Sequence, residues 1–95
     1  MLIVTEKILA EYGKVILELT EQGLTVSDKG NILETLQKLT ADLRNNGNVG
    51  QYNECEVGML CLFGDAMRCA KKGNFHAVAE CIKKALDCYN YYQNK

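Results

Sequence analysis

"VGMLCLFGDAM" occupies residues 57–67, and its reading as helix or strand decides the fold. A half-buried strand alternates apolar and polar side chains, and this stretch does not alternate. A strand also needs a partner, and no other segment of the chain offers one. The stretch therefore reads as the middle of a helix from about Tyr52 to Lys72. It is apolar nearly all round, which predicts a central, well-buried helix. Gly58 and Gly64 are the positions where a neighbouring helix is expected to come close.

Three more helical patterns surround it. Ile8, Leu9, Tyr12, Val15, Ile16 and Leu19 share one face of a helix predicted from about Val4 to Gln22. Glu11, Lys14, Glu18 and Glu21 fall on its wet side. Gly13 lies mid-helix at a cost of about 1 kcal/mol relative to alanine, and is expected to mark a close helix crossing. Gly23 ends the helix. A second helix is predicted from about Asp28 to Asn45, with Ile32, Leu36, Leu39 and Leu43 as its stripe and Leu33 beside it. Thr25, Ser27 or Asp28 would cap it, and Asn45-Asn46-Gly47 would end it. The last helix, from about Asn74 to Tyr92, carries Phe75, Val78, Ile82, Ala85, Tyr89 and Tyr92 on one face. The chain of 95 residues contains no proline and no tryptophan, which favours long uninterrupted helices. The expectation is a single all-α domain over residues 1–95, an antiparallel four-helix bundle with short connectors.

The chemistry-bearing residues gather in "CAKKGNFHAVAEC", residues 69–81. It reads as a helix end, a turn and a helix start. Lys71 and Lys72 sit in the last turn of the third helix, where cations oppose the negative end of the dipole. Gly73 follows the helix, Asn74 caps the next one, and His76 falls in its first turn, exposed. Cys69 and Cys81 belong to different helices. Five cysteines, Cys55, Cys61, Cys69, Cys81 and Cys88, show no C-x-x-C spacing. Zinc needs paired short spacings with more imidazole or thiol. An odd cysteine count, with Cys61, Cys69, Cys81 and Cys88 among apolar neighbours, reads as reduced thiols acting as small hydrophobes. The single histidine has no orienting group or oxyanion hole in sight. No glycine loop with a lysine cradles phosphate. The expectation is a protein that is not an enzyme and holds no metal or cofactor.

No segment approaches the roughly 18 apolar residues of a membrane span. The start, "MLIVTEK", is too short for a secretory signal. The chain reads as cytoplasmic, with no membrane partner. Its net charge is −1, and that value hides a division. Residues 1–60 carry nine acids against five bases, and residues 61–95 carry three against six. Lys71, Lys72, Lys83 and Lys84 have no aromatic interleaved among them and read as a solvated helical surface rather than a nucleic-acid site. The irregular stretch "GNVGQYNE", residues 47–54, is the one loop rich enough to carry contacts. Tyr52, Asn53, Glu54 and Glu56 are the candidate partner-binding residues there. Glu11 and Glu18, on the acidic side of the first helix, are the second candidate face.

"GNFHAVAECIKKAL", residues 73–86, resembles the second half of a tetratricopeptide repeat. Gly73-Asn74-Phe75 stands where that family often has Gly-Asp-Tyr, and Val78, Ala85 and Leu86 fall at its small and apolar positions. No second copy occurs in the chain, so the likeness covers one helical hairpin. The whole chain resembles the small all-helical immunity proteins that bacteria make against toxins of neighbouring cells. The shared elements are chain length, a helix followed by a polar loop, a Leu-rich second helix, a third helix opening with "EVGML" and a final hairpin. That resemblance implies function by occlusion: a rigid helical face covers a toxin's active site. The competing expectation is a chaperone or adaptor that holds an exported subunit of a secretion system in an apolar groove.

Overall fold

The computed structural model describes residues 6–46 and 52–94, without the side chains of residues 43–46. Four α-helices make up nearly all of it: α1 Glu6–Glu21, α2 Val26–Asn46, α3 Glu54–Lys71 and α4 Phe75–Gln93. No strand occurs among the described residues, and residues 57–67 are helical throughout. The expected start at Val4, the side chain of Leu43 and loop residues 47–51 lie outside the described residues.

The starts of α2, α3 and α4 are each set by a short polar side chain. α2 begins two residues before the expected Asp28 because Thr25 is the cap. Thr25 Oγ1 accepts from the Asp28 N–H at 3.1 Å, and Asp28 Oδ2 accepts from the Thr25 N–H at 3.1 Å. α3 begins at Glu54 rather than Tyr52. Asn53 caps it, accepting from the Glu56 N–H at 2.8 Å, while the Glu56 carboxylate accepts from the Asn53 N–H at 3.1 Å. Such reciprocal boxes satisfy two N–H groups that the helix itself leaves open. Asn74 caps α4 through the Ala77 N–H at 3.3 Å.

Tight turns join α1 to α2 and α3 to α4. Between α3 and α4, Gly73 takes a left-handed φ of 79° and donates to Ala70 O at 3.0 Å. Between α1 and α2, Gly23 has φ 96° and Leu24 follows at φ 53°. A leucine rarely adopts that backbone; here its side chain packs against the core, which offsets the strain.

The core draws on all four helices. Leu9, Ala10 and Ile16 of α1 meet Ile32, Leu36 and Leu39 of α2, Cys55, Met59, Phe63, Ala66 and Ala70 of α3, and Phe75, Val78, Ile82 and Ala85 of α4. A fully buried side chain such as Leu36 or Ile82 contributes about 1.5–3 kcal/mol by leaving water. Truncating either to alanine would cost about 2–5 kcal/mol once the cavity is included. Gly13 lies where α1 crosses the others: a Cβ there would stand 3.2 Å from Leu86 Cδ2, 3.4 Å from Phe63 Cζ and 3.5 Å from Ile82 Cγ2. That close approach is the one expected from the mid-helix glycine.

Two expectations about α3 need correction. It is not buried all round: Cys61 is exposed and Val57 is 47% exposed. The buried set Cys55, Met59, Phe63, Ala66, Ala70 recurs every third or fourth residue, so the helix has one inner face despite its apolar composition. Cys61 is therefore not the buried small hydrophobe its neighbours in sequence suggested. Gly64 likewise admits no close neighbour; nothing lies within 4 Å of its missing Cβ. Gly58 does, with Cys88 Sγ 3.3 Å away.

Candidate functional site

The stripe expected to bury α1 divides in two. Leu9 and Ile16 turn into the core together with Ala10 and Gly13. Ile8, Tyr12, Val15 and Leu19 instead line a groove of about 660 Å³ between α1 and α2. Val15 is 49% exposed there. The other wall comes from Asn31, Glu34, Thr35 and Lys38 of α2, and Glu11 joins from α1. The floor is apolar, and the rim holds two carboxylates and one ammonium. Tyr12 is pinned in place by its hydroxyl, which donates to Asp42 Oδ2 at 2.9 Å. Burial, and then that carboxylate, push the Tyr12 phenol above its usual range.

Of the six candidate residues read from the sequence, Glu11 lies in this groove and Glu18 stands exposed two turns further along α1. The α2 wall was not singled out. Asn31, Glu34, Thr35 and Lys38 follow i, i+3, i+4, i+7 spacing, the same helical periodicity that marked the leucines. Their polarity made them read as an ordinary wet face.

The other four candidates cluster at the head of α3 and hold structure there. Asn53 and Glu56 form the capping box. Asn53 Nδ2 also donates to Glu6 Oε2 at 3.3 Å, and Gln93 Nε2 donates to Glu6 Oε1 at 2.8 Å. Glu54 accepts from the Tyr92 hydroxyl at 3.4 Å. One carboxylate, Glu6, thus ties the first turn of α1 to the start of α3 and the end of α4. Tyr52 is half-buried and lines a second pocket, of about 300 Å³, with Leu36, Leu39, Thr40, Leu60, Phe63 and Gly64.

The cysteine–histidine turn adopts the predicted shape. Lys72 follows the last residue of α3 as its C-cap, Gly73 reverses the chain, and His76 is exposed in the first turn of α4. Among the described residues no group of three or more His, Cys, Asp or Glu side chains gathers as a metal site, and no helix is long and apolar enough to cross a membrane. The only ion pair among them joins Arg68 to Asp65 on the surface of α3, a type that contributes little to stability.

No family model, curated protein or solved structure matches the chain.

Proposed function

We propose that this is a non-catalytic binding protein that captures one protein partner on its acidic, tyrosine-bearing α1–α2 face. The reading extends to a bacterial, cytoplasmic immunity protein, an antiparallel four-helix bundle that covers a toxin's active site. The observation that supports it is the groove itself. An apolar floor beside Glu11 and Glu34 suits an apolar side chain flanked by arginine or lysine. Charge-assisted bonds from those carboxylates would add specificity, and the excess of acids in residues 1–60 would speed capture of a basic partner. Nucleic acid is disfavoured on this face, since carboxylates repel phosphate. Glu18 extends the acidic edge. Tyr52, Asn53, Glu54 and Glu56 form a second contact region in this proposal, with Asn53 and Glu56 also serving the fold.

A photo-crosslinking residue in place of Glu34 tests the face. It should capture one defined protein from the native cell, while the same residue in place of exposed Lys84 on α4 should not. Capture at Lys84 alone would move the interface away from the groove.

The alternative, a chaperone or adaptor for an exported subunit, draws on the second pocket. Its lining of Leu36, Leu39, Leu60 and Phe63 is more apolar than the α1–α2 groove and suits an apolar anchor of a partner helix. A captured partner that is an exported subunit, with crosslinks from position 52 rather than 34, would favour it.

A further inference from the structure

We propose that the outer stripe of α3 is a seam for a second copy of this chain, with the two α3 helices packed antiparallel about a twofold axis. The exposed positions of α3 are Glu54, Val57, Cys61, Gly64, Arg68 and Lys71. They are spaced alternately three and four residues apart along the whole helix. That alternation keeps them in line on one side of the helix, and it is the spacing of a helix–helix seam.

The middle of this stripe carries no charge. Val57 is 47% exposed, Cys61 is exposed, and nothing lies within 4 Å of the Cβ position of Gly64. Half-buried Leu60 and Gly64 also line the second pocket, so the apolar surface continues from the stripe toward α2. The exposed positions of α4 are of the opposite kind and include His76, Glu80, Lys83, Lys84 and Asp87. A helix face that meets only water is built that way. Exposed apolar positions that are contiguous rather than scattered mark a contact surface.

The charges identify the occupant. The stripe has an acid, Glu54, at its N-terminal end and two bases, Arg68 and Lys71, at the other. A parallel pair would set like charge on like, whereas an antiparallel pair sets each end on its opposite. With the seam positions interleaved, Cys61 lies level with the partner's Gly64, Val57 with the partner's Arg68, and Glu54 with the partner's Lys71. Gly64 has no side chain, so the helices approach closely there and Cys61 fills the notch. Val57 packs on the aliphatic stem of the partner's Arg68, and that guanidinium stays at the wet edge. Every contact occurs twice by symmetry. Glu54 also accepts from the Tyr92 hydroxyl, and Arg68 pairs with Asp65 on its own helix. A carboxylate has several acceptor sites and a guanidinium five donors, so both can serve a second contact. No seam residue lines the α1–α2 groove, so pairing through α3 does not use that face.

Sedimentation equilibrium in excess thiol reductant tests this, with the chain at about 1 μM to about 1 mM. The parent should pass from monomer to dimer over that range and form nothing larger, because an isologous contact closes on itself. Val57→Glu, at an exposed position, should abolish the dimer while circular dichroism remains helical. Arg68→Glu/Lys71→Glu should weaken dimerisation about tenfold or more, since like charges then meet at both ends of the seam. Adding Glu54→Lys to that variant restores opposite charges and should return most of the lost affinity. A parent that stays monomeric at the highest concentration, a Val57→Glu chain that still dimerises, or a triple variant no tighter than the double would overturn the proposal.

Discussion

The Tyr12 hydroxyl donates to Asp42 Oδ2 at 2.9 Å, joining the middle of α1 to the far half of α2. The bond ties Tyr12, which lines the α1–α2 groove, to α2. Tyr12→Phe should lower stability by about 1 kcal/mol, the usual net value of a partly buried hydrogen bond. Asp42→Ala should cost a similar amount, and the double variant should cost less than both together, as expected for contacting residues. Denaturant unfolding of the four proteins measures this. Full additivity would mean that the bond contributes nothing.

Asn53→Ala removes an N-cap and should cost about 1 kcal/mol. Asn53→Asp, which keeps the cap oxygen, should cost less in capping but loses the amide that donates to Glu6. Thermal melts of the two variants, alone and with Glu6→Gln, separate the two roles. If Asn53→Ala melts like the parent, the head of α3 is free for a partner and not needed by the fold.

At Gly13 two effects oppose each other. Alanine gains about 1 kcal/mol of helix propensity, yet its Cβ meets Leu86 Cδ2 at 3.2 Å. Leu86 is half-buried and its end can shift, so Gly13→Ala should fall close to neutral. Gly13→Leu cannot be accommodated between Phe63 and Ile82, and overpacking should cost about 1–3 kcal/mol or more. A leucine variant as stable as the parent would contradict the close crossing.

Alkaline pH should unfold the protein through Cys55. Its thiol is raised from 9.0 to about 12, chiefly by burial, with Glu6 and Cys88 adding to it. The folded state therefore holds this proton more tightly than the unfolded chain. The stabilisation is complete below pH 9 and is lost as pH rises from 9 toward 12. Cys55→Ala should melt lower at neutral pH but show a shallower decline over that window. Tyr12, also raised, acts in the same direction above its ordinary 10.0. Equal slopes for parent and variant would show that Cys55 is not the group responsible.

Helix identity was legible because each inner stripe repeats at helical spacing, as Val78, Ile82 and Ala85 show. What escaped was which of two adjacent apolar stripes faces inward. On α1, Leu9 and Ile16 lie a fraction of a turn from Ile8 and Val15, and only the crossing at Gly13 decides between them. The same limit misplaced Cys61, whose apolar neighbours Leu60 and Leu62 are themselves only half-buried. The groove was half legible. Glu11 was in view, but its opposite wall came from polar α2 residues with no signal beyond periodicity. At Asn53 and Glu56 the polarity that suggested contact with a partner also serves the start of a helix.

The most direct test of the account is a growth measurement. The protein captured through position 34 is expressed in cells alone, with the parent chain, or with a Glu11→Lys/Val15→Glu/Glu34→Lys variant shown by circular dichroism to remain helical. Neutralisation through the α1–α2 groove predicts arrested growth without the chain, normal growth with the parent, and arrest again with the variant. Harmless expression of the captured protein, or full protection by the variant, would contradict it.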